Sequence, residues 1–574
     1  YDRDGDPIVT QADAVALGIV PGQINFNTEG TLLYELSQLT GTNPENIAAS
    51  YANAGADWYI PVGEVTADES ARILNMNLGG LFATPYQARY YFDGGVGPQA
   101  VGYVISIPAE ELEEYQRRGY GGSEKVGYAG LEKWGEEYLS GKHGGSLYVV
   151  SPEGQIVTRL AQSDPGPASS LYLTLDKDLQ LDTQNAIKGF TGAAVVLEKD
   201  TGRVLAMASS PGFDPNLFEP TNVNNQALPA LLNNVNQPLV NRATQGQYPL
   251  GSVFKVITLS SALSSGLYTS ETPYECGYHF VELNDRVLDD WTYEHCQNEI
   301  QTSYALDPEN ALDLNTCYTK PSGEVTLSES LMVSCNPYYW HIGLDLYSSQ
   351  RTTDISNMAR AFGLGQATGL GQAAEAQGFI EDPTDAIQAV NHAIGQGTTL
   401  VTPLQVASFM AALGNGGTLY RPQMIEKIQP IVGAPTSVFK PEARSTLPLS
   451  PEYLQTLQDA MISVIENPRG TANFRLRGYR IKTAAKTGTA ETDGVPHAWF
   501  AGYTLAEADT GLPDIAIAVV LENVGEGSDY AAPVFRRIAE SYYYGSPQTT
   551  YWFETKFNVT KTPTPIGGIP TDTP

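Results

Sequence analysis

The sequence predicts a multidomain chain of mixed α+β and α/β character, with an N-terminal α+β module followed by a larger module of strands and helices. Three observations carry that reading. At 574 residues the chain has room for two to four domains of about 150 residues each. Residues 163–170 (SDPGPASS) concentrate Pro, Gly and Ser, as a linker does. Residues 1 to about 170 carry secondary-structure signals but no chemical motif, whereas three short motifs follow in order after residue 250.

In the first module, residues 2–5 (DRDG) signal a turn. Residues 109–115 (AEELEEY) read as a helix with acidic residues near its start. Residues 131–140, stopped by Gly141, read as another. Residues 148–150 and 155–160, on either side of Pro152, Glu153 and Gly154, read as a hairpin. In the second module, residues 193–197 and 204–208 flank Asp200, Thr201 and Gly202 in a strand–turn–strand pattern. The apolar stretch 253–263 predicts a buried helix. Residues 327–333 predict a short helix, with Thr326 and Glu329 at capping-box spacing. Gly363 to Gly365 and Gly395 to Gly397 mark loops, and residues 403–413 predict a helix opened by proline. Residues 514–522 form a near-continuous apolar strand of the kind found inside a covered sheet. Residues 536–544 close the module as a helix. Residues 546–574, rich in Pro, Thr and Gly towards their end, read as a disordered tail.

Net charge is −31, from 64 acidic and 33 basic residues. That balance repels nucleic acid and anionic lipid, so neither is an expected ligand. The longest aliphatic run, residues 515–521, is far short of the roughly 20 residues that span a bilayer. The chain opens on Tyr1 rather than Met, and any membrane anchor is expected to lie N-terminal to it. Four cysteines are present: Cys276, Cys296, Cys317 and Cys335. Cys335 lies inside a motif, where a bridge could obstruct a pocket. One disulfide is therefore expected among the other three. His279 and His295 share their window and leave zinc as an alternative, although no ligand spacing supports it.

Chemistry is concentrated at three places. Ser252 and Lys255 are three apart on a predicted helix start, close enough for the lysine to take the serine proton if it is neutral. Burial and a second cation, such as Lys486, would both lower its pKa. Taken alone, the pair is also what an ordinary helix offers. Ser334 can relay a proton to a leaving amine, and Asn336 can hold Lys255 and a substrate amide. Taken alone, these residues also read as a turn capping the helix that Pro337 opens. Lys486, Thr487, Gly488 and Thr489 form the third motif. Its lysine and hydroxyls suit a carboxylate, and Gly488 permits close backbone approach. The backbone N–H groups of Ser252 and Thr489 can form an oxyanion hole. Residues 499–502 read as the next strand, and an edge strand with a glycine bulge is the plain alternative. The ordered coincidence of all three favours one catalytic site.

With these motifs the chain resembles the class B penicillin-binding proteins, the transpeptidases that cross-link peptidoglycan. The resemblance extends to residues 247–251 (QYPLG) before Ser252, to Gly395, Gln396 and Gly397 with residues 401–405 (VTPLQ), and to residues 127–132 (GYAGLE) and 2–5. Residues 18–21 (GIVP) look like the methicillin-resistance-type subgroup, though without its NTF2-like domain.

The resemblance covers residues 1 to about 545. It implies a dimerisation-type pedestal at 1–170 and a penicillin-binding, serine β-lactamase-like transpeptidase domain, an antiparallel sheet with helices, at 171–545. Residues 276–320 match least and read as an insertion. The resemblance implies that Ser252 attacks the D-Ala-D-Ala amide of a stem peptide and expels D-Ala. Lys255 is the base, Ser334 the relay and Asn336 the orienting group. Lys486, Thr487 and Thr489 hold the substrate carboxylate. β-Lactams would acylate Ser252. No cofactor or metal is required, an extracytoplasmic location is expected, and a glycan-polymerising partner is implied.

A D,D-carboxypeptidase would use the same chemistry with water as acceptor. A serine β-lactamase would need a group that activates water, and Glu375 and Glu381 lie between the second and third motifs without a motif to place them. A β-lactam sensor would acylate without cross-linking.

Overall fold

The computed structural model describes residues 1–284 and 286–556. The N-terminal module is built on a three-stranded antiparallel sheet, with Val9–Ile19 between Ile60–Thr66 and Leu81–Tyr91. Side chains alternate across a strand. Val15, Leu17 and Ile19 accordingly pack with Leu32 and Leu36 of the helix Glu29–Thr40, while Ala14 and Ala16 face Tyr86, Ala88 and Tyr90 on the other side.

The second module is organised around a five-stranded antiparallel sheet. Its order is Val204–Ser210, Gly192–Glu198, Ile515–Leu521, His497–Thr504 and Thr483–Ala490. Ile515–Leu521 is central and wholly buried. Ile517, Val519 and Leu521 join one core with Phe535 and Ile538 of the helix Ala531–Tyr544. Ala516, Ala518 and Val520 join the other core with residues of Lys255–Ser265 and Pro403–Gly414. Both faces are covered, which explains the continuous apolar run. The strand Thr483–Ala490, which carries the third motif, lies at the sheet's edge.

Several expectations are corrected. The helix expected at 109–115 forms at Leu112–Arg117, because Glu111 N–H first closes a turn on the Pro108 carbonyl. The helix expected at 131–140 is two pieces, Gly130–Trp134 and Glu136–Leu139. They meet at Gly135, where a Cβ would come within 2.6 Å of Leu171. The linker is stitched into place. Gly166 pairs with Lys142, and Ser169–Leu173 forms a strand against Ile425–Pro430 of the second module. Of the expected disordered tail, residues 546–556 fold back. The helix Trp552–Lys556 buries Phe553 against Phe190, with ring centroids 5.3 Å apart, and pairs Glu554 with Arg537. Residues 557–574 lie outside the described residues. No helix among the described residues is long and apolar enough to cross a membrane.

The cysteines also depart from expectation. Cys276 bonds to Cys335, and Cys296 to Cys317. The bridge at Cys335 does not obstruct the cleft. Ser334 and Asn336 line the cleft, while Cys335 between them points into the core and meets Cys276 at the end of strand Pro273–Cys276. All four sulfurs are thereby committed to disulfides rather than held as thiolates for zinc.

Candidate active site

The three motifs converge on one cleft of about 190 Å³. Ser252 sits in a 3-10 turn, Gly251–Phe254, and Lys255 opens the helix Lys255–Ser265 directly after it. The sequence reading placed both on one α-helix. In a 3-10 turn, residues three apart eclipse each other, so the two side chains still share a face. Gly251 is required in this turn: its φ is +56°, and a Cβ there would come within 2.4 Å of the Thr489 carbonyl.

The second motif follows the short helix Leu327–Val333, which carries the expected capping box of Thr326 and Glu329. Ser334 ends that helix in the left-handed region, with φ +57° and ψ +38°. A non-glycine residue there costs of order 1 kcal/mol or more and persists only where its surroundings hold it. The holding contacts are from Lys255 Nζ, which donates to the Ser334 carbonyl at 2.7 Å, to Ser334 Oγ at 3.2 Å and to Asn336 Oδ1 at 2.5 Å. Cys335 Sγ accepts the Tyr338 N–H and caps the following helix, Asn336–Ser348.

The third motif brings Lys486 Nζ to the same hydroxyl, 2.9 Å from Ser334 Oγ. Lys486 also donates to the Thr487 carbonyl at 3.0 Å. Both lysines are fully buried. Burial lowers Lys255 to about 7, and the Asp290 carboxylate opposes that shift. Burial first, and then repulsion from Lys255, hold Lys486 well below the ordinary lysine range. Two ammonium ions sharing one hydroxyl in a buried site repel, so the pair favours a single charge.

Thr489 occupies the open edge of the sheet. Its carbonyl faces Gln396 Nε2 at 3.5 Å, across from Gly251. In an antiparallel pair a residue's N–H and C=O point to the same side. The Thr489 N–H is therefore directed towards the nucleophile turn, as an oxyanion hole requires. Gly488 serves packing rather than ligand approach alone. A Cβ on it would meet Val253 Cγ2 at 2.9 Å and the Leu250 carbonyl at 3.0 Å. The pairing of Thr483–Ala490 with His497–Thr504 runs without a bulge. Both threonine hydroxyls have protein partners. Thr487 Oγ1 lies 2.7 Å from Thr471 Oγ1, and Thr489 Oγ1 donates to Glu526 Oε2 at 2.6 Å.

Sequence reasoning missed Asp290, Thr471 and Glu526, and read His295 only as an alternative zinc ligand. His295, on the helix Trp291–Leu306, lies 3.7 Å from Glu526 and raises the cleft wall together with Trp291 and Glu294. Thr471 and Glu526 reach the site through tertiary folding and carry no local signal. Gln396 was visible, inside the Gly395–Gly397 loop. That loop packs on the nucleophile turn, where the Gly395 carbonyl accepts the Gly251 N–H at 3.0 Å. Glu375 bonds Thr368, and neither Glu375 nor Glu381 lines the cleft.

Comparison with known proteins places this geometry in a family. A family model described as the penicillin binding protein transpeptidase domain matches residues 192–312 and 307–540. One described as the penicillin-binding protein dimerisation domain matches residues 1–173. The seam between the two transpeptidase stretches falls inside the cysteine-bearing segment. Peptidoglycan D,D-transpeptidase MrdA of Escherichia coli strain K12 is 26% identical over 560 residues, spanning 92% of this chain and 83% of that protein. A chain from a structure described as showing structural coordination of polymerization and crosslinking by a peptidoglycan synthase complex is 27% identical. Its TM-score is 0.66, over 96% of this chain and 90% of that one. Penicillin-binding protein PBP2 of Pseudomonas aeruginosa, in complex with WCK 5153, is 26% identical with a TM-score of 0.63, over 80% of this chain and 90% of that one. The chain belongs to the penicillin-binding protein transpeptidase family, as a class B protein of the MrdA/PBP2 type with an N-terminal dimerisation-type domain.

Proposed function

We propose that this chain is a peptidoglycan D,D-transpeptidase in which Ser252 carries the acyl group. The observation that carries the reading is Ser334 Oγ held between two buried amines, 3.2 Å from Lys255 Nζ and 2.9 Å from Lys486 Nζ. That arrangement supports both removal of a proton from a serine and its return to a leaving amine.

A substrate carboxylate docking beside Lys486 gives that amine a counter-charge and raises its proton affinity. A charged Lys486 then disfavours charge on Lys255, leaving Lys255 neutral as a base. Lys255 takes the Ser252 proton as Oγ forms a bond to the penultimate D-Ala carbonyl carbon. The oxyanion is held by the N–H groups of Ser252 and Thr489, an interaction whose loss typically costs about 100- to 1,000-fold. The C–N bond breaks as Ser334 passes its proton to the departing D-Ala amine and takes in exchange the one Lys255 received from Ser252. The amine of a second stem then attacks the ester, gives up a proton by the same route and frees Ser252. A β-lactam meets the same attack, but its leaving amine remains tethered. Asn336 orients Lys255 and the substrate amide, and Thr487, Gly488 and Thr489 form the wall along which the substrate lies.

The transpeptidase of a peptidoglycan synthase complex is similar to this chain, which supports a glycan-polymerising partner. An extracytoplasmic site of action follows from the substrate. The test is incubation with a donor stem peptide ending in D-Ala-D-Ala, with and without an acceptor stem bearing a free amine. The expected result is D-Ala release together with a cross-linked product. D-Ala release without cross-linked product at any acceptor concentration would make the chain a carboxypeptidase, and no release would overturn the reading.

A further inference from the structure

The cysteine-bearing segment 276–320 sends one carboxylate to the catalytic motifs. Asp290 begins the helix Trp291–Leu306 as its cap, and one oxygen, Oδ2, is sufficient for that task. It accepts from Thr292 N–H at 3.2 Å and from Thr292 Oγ1 at 2.6 Å. The other oxygen, Oδ1, turns away from its own helix and accepts the backbone N–H of Asn336 at 2.9 Å. Asn336 in turn holds Lys255 Nζ at 2.5 Å.

Asp290 is fully buried. Burying an ionised carboxylate is costly unless charge and hydrogen bonds compensate. Among the described residues no lysine or arginine makes an ion pair with Asp290, and the cation whose field it feels is Lys255. An exposed helix cap would need none of this. The arrangement ties the cysteine-bearing segment to the base.

We propose that Asp290 is a positioning residue for the transpeptidase reaction: it fixes the Ser334–Asn336 turn onto Lys255 and sets the pH at which Lys255 becomes a base. This deepens the function proposed above and rests on Lys255 acting on Ser252. The groups facing Lys255 are Asp290 from the cysteine-bearing segment, Lys486 from the edge strand and the Tyr339 ring, 5.2 Å away, from the helix Asn336–Ser348. Of these, the carboxylate is the one carrying a full negative charge, and the Tyr339 face adds a weaker cation–π attraction in the same direction. Asp290 therefore biases the shared charge of the two amines towards Lys255, and Lys486 receives its charge when a carboxylate docks there. The electrostatics of the two groups run the same way. Asp290 opposes the burial that lowers Lys255, and Lys255 opposes the burial that raises Asp290.

The experiment is the pH profile of acylation by a fluorescent penicillin, measured on the whole chain and on D290N and D290E. D290N retains an oxygen for the Asn336 N–H but removes the charge. Lys255 then loses its proton more easily, and the acid limb is expected to move to lower pH by on the order of one unit. D290E keeps the charge on a longer arm. Its limb is expected to stay with the parent while its plateau falls several-fold. A D290N limb that coincides with the parent's would overturn the proposal. If D290N fails to fold, D290E decides alone: an acid-shifted limb there would overturn the proposal, and an unmoved limb with a lower plateau would support it. Failure of the underlying reading would be visible separately, as absence of a Ser252 adduct in the parent chain.

Discussion

Replacing Lys255 with methionine is expected to lower the rate of acylation by a penicillin by about 100- to 10,000-fold, the range that a positioned base supplies. Methionine approximates the volume of the lysine stem and accepts no proton from Ser252. It also leaves the Ser334 carbonyl and Asn336 Oδ1 without their donor, so the second motif loses what holds it against the first. Thermal stability should fall as well, because the Ser334 carbonyl and Asn336 Oδ1 lose their donor and the buried Asp290 carboxylate loses its nearest cation. The pH dependence carries the same information. Lys255 is lowered to about 7 by burial, so acylation by the parent chain should fall as pH drops through that region, where the amine gains its proton. Stopped-flow acylation across pH 5 to 9 checks both statements. A variant within tenfold of the parent, or a parent rate flat across that range, would remove Lys255 from the base role.

Loss of the Cys276–Cys335 disulfide is expected to have the second large effect, on stability and on rate together. The bond joins residues 59 apart. A loop of that length corresponds to about 4 kcal/mol in the chain-entropy description of cross-links. Because Cys335 lies between Ser334 and Asn336, its release also loosens the turn that carries the relay. The variant C276A/C335S keeps an acceptor for the Tyr338 N–H, so the loss is that of the cross-link. The Cys296–Cys317 bond is the control: it spans 21 residues and touches none of the three motifs. Its removal should destabilise by about 3 kcal/mol and slow acylation less. Denaturant unfolding and acylation rates of the two variants make the comparison. Equal acylation rates in both variants would show that the bridge at Cys335 does not support the site.

What the sequence made legible was local. The capping box of Thr326 and Glu329, the proline-opened helix at 403 and the buried strand at 515–521 are each specified by adjacent residues, and each formed where expected. Ser252, Lys255, Ser334, Asn336 and the residues 486–489 were found because each lies within a few residues of another, and the structure brings them together. Residues whose roles depend on distant partners were not found. Asp290 looks like an ordinary helix cap until Asn336, 46 residues away, is seen to donate to it. The Thr489 hydroxyl was read as free for a carboxylate, and only the fold shows Glu526 accepting from it. The pairing of cysteines failed for the same reason. Sequence position suggested that a bridge at Cys335 would enter the pocket, whereas alternation of side chains about the turn sends it to the opposite side. Phe553 follows Tyr551 and Trp552 in an otherwise polar stretch, and its burial depends on Phe190, far away in sequence.

The most direct test of the central claim is intact-mass spectrometry after incubation with benzylpenicillin, on the parent chain and on S252A. The expected result is one stable penicilloyl adduct on the parent, located by peptide mapping to the turn bearing Ser252, and none on S252A. An adduct of equal extent on S252A, or a parent that hydrolyses the drug rapidly without accumulating an adduct, would contradict it.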